Sequence, residues 1–190
     1  MGVEGSALVR DHLVALEVVE RALRACPVGL WEGSMWTVRR SDPWIWPAPG
    51  VGPVPERTEA SIQCFSAFWL VAYHCLWFVD FYVTRDPAGF ESPESVRGGP
   101  EELDFAAAGA APFPAAPYDR DVLLAYAQHC RRKVEEEVGS ATAAELEEPR
   151  PSGHPHAGKT YAALLAHDLA HVREHGEQLL RFVEHAEDPA

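Results

Sequence analysis

Residues 67–83 read Ala-Phe-Trp-Leu-Val-Ala-Tyr-His-Cys-Leu-Trp-Phe-Val-Asp-Phe-Tyr-Val, an apolar run interrupted by His74 and Asp80. A helix that is apolar on nearly every face must be surrounded by other elements, so this run predicts a central helix. We expect the helix to begin near Thr58, a good N-cap residue, and to end near Thr84. The run is too short and too interrupted to predict a membrane span.

Three other segments carry helical patterns. In the first of them Leu8, Leu16, Val19 and Leu23 recur at helical spacing, and Pro27 ends the pattern. The expected helices cover about 6–25, 119–138 and 160–187, with Ser6, Asp119 and Thr160 at their starts and Gly139 after the second. A further short turn is expected at 141–146.

The connecting segments are long and lack periodicity. Residues 27–57 combine several prolines with four tryptophans, and residues 85–118 are rich in Pro, Gly and Ala. Strand-like alternation is missing from both. The sequence therefore predicts an all-α fold, a four-helix bundle with long loops between helices one and two and between helices two and three. The length of 190 residues suits one domain, 1–190.

Composition narrows the classes of function. The net charge of -13 disfavours nucleic acid and anionic membranes as partners, because both are polyanions. The N-terminus lacks the basic and apolar regions of a secretory signal, so we expect a cytoplasmic protein. The scarcity of Lys among the basic residues, with much Ala, Pro and Gly, suggests a GC-rich bacterial genome. The four cysteines form no C-x-x-C pair and are expected to be buried thiols, with a disulfide framework as the lesser alternative.

Three histidines suggest a metal site. His171 and His175 lie four residues apart and so project from one face of a helix, the face shared by Leu164 and Leu179. His74 is the polar residue on the apolar face around it. Each unpartnered polar group in a core costs about 1–3 kcal/mol. A divalent ion shared by the three imidazoles would remove that cost and would keep coordination positions open for water or substrate, as in catalytic sites.

Other interpretations of these histidines stay open. Each can be a hydrogen-bonded core residue without any metal. His167 extends the ladder by one turn and is a candidate fourth ligand or neighbour of the site. The H-E-x-x-H motif of zinc proteases is absent, because Val172 follows His171. His12 is expected in the core or at its rim, whereas His154 and His156 are expected in a loop that can edge a pocket.

Two carboxylates are candidates for roles beside the metal. Asp168 can orient an imidazole by accepting its second N–H, and it is also a weak candidate for a catalytic general base. Asp80 is the alternative base, although a helix cap or a polar position at the rim explains it more simply.

The sequence Thr160-Tyr-Ala-Ala-Leu-Leu-Ala-His-Asp-Leu-Ala-His-Val-Arg-Glu-His-Gly-Glu-Gln-Leu179, after a long helix with a central His, resembles the DinB-like superfamily. The resemblance covers about residues 6–185 and implies a four-helix bundle. It also implies that His74, His171 and His175 are the metal ligands, with Gln178 and Leu179 matching the end of the helix-four motif. The family's usual glycine falls on Glu177 here, and the glycine stands one residue earlier, at Gly176.

The resemblance also implies a range of functions. It implies a divalent metal, zinc or nickel, and activities that include thiol-dependent S-transferases, maleylpyruvate isomerases and metal-dependent hydrolases, with mycothiol, bacillithiol or glutathione as thiol. Homodimers are common in the family. We therefore expect a metal-dependent enzyme acting on a small molecule, with a low-molecular-weight thiol as a possible co-substrate. The alternatives are a non-catalytic, stress-associated metal-binding dimer and a plain bundle without metal.

Overall fold

The computed structural model describes residues 3–39, 63–97 and 116–187. Five α-helices are found there: α1 (Val3–Ala25), α2 (Phe68–Val83), α3 (Arg120–Lys133), α4 (Ala143–Glu147) and α5 (Tyr161–Glu187). A π-helical turn, Val134–Val138, continues α3. Strand-like pairing within these ranges is limited to two isolated bridges. The prediction of an all-α fold is confirmed.

The four long helices form the predicted bundle. α1 and α2 each pack against both α3 and α5. The two helices that carry the candidate metal ligands, α2 and α5, are therefore direct neighbours. The centre is filled by large side chains that are fully buried, among them Trp77, Tyr73, Tyr126, Tyr161, Phe68 and Leu16. The short α4 corresponds to the turn expected at 141–146. A capping box between Thr142 and Glu145 begins it.

α2 is the central helix of the bundle, as its composition predicts. Every residue of Phe68–Val83 is buried except His74 and Phe78, which are half-buried. The exposed strip of this helix therefore consists of one imidazole and one aromatic ring a turn apart. Within the described ranges, none of the helices combines the length and the apolar character needed to cross a lipid bilayer.

The predicted start of the second helix is wrong. Thr58 lies outside the described residues, but the chain leaves the helical conformation at 65–67, and α2 begins at Phe68. Ala67 is extended and pairs with Ser34 in an antiparallel bridge. The N–H groups of Phe68 and Trp69 donate to carbonyl oxygens of the segment after α1, at 3.0 and 3.1 Å. That segment thus satisfies the first amides of α2, which a continuing helix would bond internally.

The other predicted boundaries have mixed outcomes. α1 begins at Val3, three residues before the expected N-cap Ser6. Thr160 does cap α5, since its hydroxyl accepts the N–H of Ala163 at 3.2 Å. Gly139 ends the π-helical turn, and a Cβ at this position would lie 2.1 Å from the carbonyl oxygen of Glu135. Only glycine fits this close approach of the backbone to itself.

Candidate metal centre

Neighbouring faces of α2 and α5 bring the three predicted histidines together. On α5 the buried face is made by residues such as Leu164, Val172 and Leu179, and His171 and His175 lie half-buried along its edge. On α2, His74 lies on the half-exposed strip that faces α5. The spacing of four residues therefore places the imidazoles of His171 and His175 on one face of α5, next to the imidazole of His74 on α2.

The geometry of the three side chains suits one ion. Each offers a nitrogen such that all three atoms lie within 4.8 Å of one another. Nε2 of His74 lies 3.1 Å from Nε2 of His171. Nitrogens that bind one tetrahedral ion at about 2.0–2.1 Å are separated by roughly 3.3 Å, close to this value. The described residues contain one such group of three or more His, Cys, Asp or Glu, and it can hold a metal ion.

A hydrogen-bonded chain fixes the orientation of His175. The side-chain amide of Gln178 donates to Glu174 at 3.3 Å, which points its oxygen towards His175. Nδ1 of His175 lies 2.8 Å from that oxygen. Because an amide oxygen only accepts, Nδ1 carries the proton, and Nε2 keeps its lone pair. Gln178, the matching position in the motif, thus sets the tautomer that a metal ligand needs.

His171 is held in the neutral form. Burial, followed by the nearby His74, His175 and His167, lowers the pKa of His171 to about 3. A neutral imidazole keeps a lone pair for an ion at neutral pH, whereas a protonated one cannot ligate. Nδ1 of His171 is buried and has no hydrogen-bond partner among the described residues. A bound ion would compensate for part of the cost of placing this ring in the protein.

Asp168 is placed against α1 rather than against the three imidazoles. Its carboxylate is fully buried, with an oxygen 3.3 Å from Nε2 of His12, which is also fully buried. Nδ1 of His12 lies 2.8 Å from the carbonyl oxygen of Leu8, so this nitrogen donates. Burial raises the pKa of Asp168, and the contact with His12 partly opposes that rise. Neither carboxylate oxygen of Asp168 accepts the expected hydrogen bond from an imidazole of the site.

Asp80 belongs to a separate polar cluster between α2 and α3. It is fully buried, so the expectation of a cap or rim position is wrong. Its carboxylate accepts from Tyr126 at 3.0 Å and from Lys133 at 2.5 Å, and His129 lies 3.2 Å away. Three donors from one helix face compensate for the burial of this charge. The sequence gives no local signal for the cluster, because its members come from two distant segments.

Two loop histidines lie close to α2 and α5. His154 is buried and stacks on Phe81, with ring centroids 5.2 Å apart. Nε2 of His156 lies 3.0 Å from the hydroxyl of Tyr82, and the ring of His156 lies 4.8 Å from that of exposed His167. The structure thus groups His167 with His156 and Tyr82, while the candidate metal group consists of the other three histidines. Tyr82 stands eight residues after His74 and so lies on the same face of α2. This spacing is the sequence signal from which its position beside the histidines could have been predicted.

The family model of the DinB superfamily matches residues 44–179. The chain belongs to the DinB superfamily. The match includes all three histidines of the candidate metal centre and the positions up to Leu179. Comparison with the curated proteins and with the solved structures gave no significant match.

In this DinB superfamily member, Gly176 lies at a contact between helices. Gly176 is buried, and a Cβ there would lie 3.4 Å from side-chain atoms of Val18 and Val19 on α1. The next residue, Glu177, is exposed and forms an ion pair with Arg181 at 2.7 Å. The small residue therefore stands at the contact between α1 and α5, away from the imidazoles.

Proposed function

We propose that this DinB superfamily protein is a metal-dependent enzyme in which His74, His171 and His175 bind one divalent ion, zinc or nickel. The single observation that carries the proposal is the convergence of three imidazole nitrogens within 4.8 Å of one another. The 3.1 Å separation of the two Nε2 atoms matches ligands of a common ion. The lowered pKa of His171 and the tautomer of His175 both favour ligation.

Three protein ligands leave coordination positions for a small exogenous molecule. A divalent ion held there supplies Lewis-acid chemistry, since it lowers the pKa of a water or thiol ligand and so produces a nucleophile. The protein keeps the pKa of His171 low and orients His175 through Gln178. The ring of Phe78 gives the site an apolar wall, 4.7 Å from His74 and 5.2 Å from His171. We propose transfer to a low-molecular-weight thiol, isomerisation with such a thiol, or hydrolysis as the reaction class.

Asp168 precedes the ligand candidate His171 by three residues, about one helical turn. Its complete burial against His12 favours a role in holding α5 to α1 over proton transfer to a substrate. We therefore assign no protein side chain as general base.

The alternative is a non-catalytic metal-binding protein associated with stress and acting as a dimer. The same three imidazoles support it equally, and activity assays separate the two. A cytoplasmic location and a homodimer are predictions shared by both alternatives.

The first experiment is metal analysis of freshly purified protein. We expect about one equivalent of zinc or nickel per chain. His171→Ala should abolish binding, whereas His185→Ala, which changes an exposed histidine on the same helix, should not. Lack of metal in every preparation, or equal metal in both variants, would refute the proposal.

The second experiment tests catalysis in the metal-loaded protein. Conjugation of electrophiles to mycothiol, bacillithiol or glutathione, isomerisation of maleylpyruvate and hydrolysis of esters and amides should reveal turnover that His171→Ala lacks. Full metal loading without turnover in any of these assays would favour the non-catalytic alternative.

A further inference from the structure

Two rows of side chains face each other along α2 and α5. Each row has a four-residue spacing: His74, Phe78 and Tyr82 on α2, and His167, His171 and His175 on α5. Phe78 lies 5.2 Å from His171 and Tyr82 lies 6.2 Å from His167, measured between ring centroids. The rows thus connect the candidate metal centre at one end with Tyr82 and His167 at the other.

The loop before α5 completes the second end. His156 contacts both rows, because its Nε2 lies 3.0 Å from the Tyr82 hydroxyl and its ring lies 4.8 Å from that of His167. Its backbone N–H donates to Nδ1 of His154 at 2.9 Å. His154 in turn stacks on Phe81 with nearly parallel rings.

Arg150 anchors the same loop to the C-terminus of α2. Its guanidinium donates to the carbonyl oxygens of Thr84 and Arg85, both at 2.9 Å. It also lies over the ring of Tyr161 at 5.1 Å. Arg150 and His154 therefore anchor the part of the loop that leads to His156.

The fixed charges that act on the loop histidines themselves are those of Arg150 and Lys159, while Asp86 and Glu148 lie near Arg150. After burial, the pKa of His154 is lowered by Arg150 and that of His156 by Lys159. Lys159 is one of two lysines in a chain with a net charge of -13. Nε2 of His154 is buried and has no hydrogen-bond partner among the described residues. This end of the two rows thus combines imidazole and phenol groups with the positive charges of Arg150 and Lys159, a setting that suits an anion.

We propose that Tyr82, His156 and His167 form a subsite that binds a carboxylate of the substrate while the reacting group of the same molecule lies at the three imidazoles. This inference rests on the proposed function and adds a substrate class to it. With Nε2–H of His156 donating to the Tyr82 oxygen, the Tyr82 hydroxyl and an N–H of His167 donate hydrogen bonds to the carboxylate, and its charge strengthens them. Phe78, between the two ends, contacts an apolar spacer.

The helix geometry sets the length of that spacer. Tyr82 stands two turns from His74, and His167 stands one turn from His171, which correspond to about 12 and about 6 Å along the helix axes. The structure therefore selects small apolar acids in which the carboxylate and the reacting atom are separated by a chain of several carbons.

The test uses probes with and without the metal. Hexanoate and hexanol are titrated into metal-free protein, and binding is followed by NMR of the histidine ring protons. Mercaptohexanoate and mercaptohexanol are titrated into nickel-loaded protein, and binding is followed by the thiolate-to-nickel absorption. Each acid should bind about tenfold more tightly than its alcohol. Tyr82→Phe and His156→Gln should remove this preference, whereas Tyr118→Phe and His185→Gln should keep it. The hydroxyl of Tyr118 donates elsewhere, to Val96 at 3.1 Å.

Failure of the subsite and failure of the metal proposal give different results. If the protein takes up neither nickel nor zinc, the enzymatic proposal fails, and the binding of hexanoate to the metal-free protein still decides whether the subsite exists. If nickel binds but acids bind no more tightly than alcohols, or Tyr82→Phe and His156→Gln keep the preference, the subsite proposal is overturned.

Discussion

Gln178 controls which nitrogen of His175 faces the other two imidazoles. Its amide oxygen, oriented by Glu174, accepts a hydrogen bond from Nδ1–H of His175, which leaves the lone pair of Nε2 for an ion. A residue that orients a ligand typically contributes a factor of about 10–100 in metal affinity.

We predict that Gln178→Ala lowers metal affinity by about 10–100-fold without unfolding the protein. Competition with a chromogenic chelator measures the affinity. Glu177→Ala is the matched control, because Glu177 is exposed next to Gln178 and pairs with Arg181 outside the site. Unchanged affinity in Gln178→Ala would show that the hydrogen bond does not position His175.

The three metal-ligand candidates could be predicted from sequence because each stands out in its own helix. His171 and His175 share a face by spacing alone, and His74 interrupts an apolar run. The positions of Asp80 and Asp168 could not be predicted in the same way. Their partners, Lys133 and His12, lie on other helices, and only packing brings them together.

At the level of helices, the contact between α1 and α5 includes a small residue. At Gly176 a Cβ would meet side-chain atoms of Val18 and Val19 at 3.4 Å, an ordinary van der Waals distance, so a methyl group fits and a larger side chain does not. Alanine there gains up to about 1 kcal/mol of helix propensity.

We predict that Gly176→Ala changes the free energy of unfolding by less than about 1 kcal/mol, whereas Gly176→Leu destabilises by about 1–3 kcal/mol through overpacking. Urea denaturation measures both. Glu177→Leu is the control for a bulky apolar residue at the neighbouring exposed position. Equal stability of Gly176→Leu and the wild type would contradict the close approach of α1 and α5.

Helix existence was predictable here, but the start of α2 was not. Residues 63–67, Gln-Cys-Phe-Ser-Ala, contain neither Pro nor Gly, so no local signal marks the break. The helix is interrupted because the segment after α1 pairs with Ala67 and accepts the first N–H groups of α2. An interaction between segments more than thirty residues apart overrides local propensity.

The whole molecule should lose stability in mild acid. Burial lowers the pKa of His171 to about 3 and that of His154 to about 4, from an ordinary value of 6.5. At these two groups the unfolded chain therefore binds more protons than the folded chain below about pH 6.5. Both groups thus contribute stability at neutral pH that is lost progressively as the pH falls from about 6.5 towards these values.

We predict that the urea midpoint of metal-free protein falls between pH 7.5 and pH 5. His154→Asn should reduce this fall, because Asn does not titrate in the range and can still accept the N–H two residues ahead. The comparison concerns the change with pH and not the stability at one pH, since the variant also loses the stacking on Phe81. The same dependence in variant and wild type would exclude His154 as a source of the acid sensitivity.

The cysteines of this bundle have a consequence for sulfur chemistry. All four are free thiols, and Cys26, Cys75 and Cys130 are buried with their pKa values raised by burial. Cys75 directly follows His74, yet it is fully buried beside a half-exposed neighbour. The fold thus keeps these three thiols protonated and inaccessible. They would therefore not compete with an exogenous thiol for an ion bound by the three imidazoles.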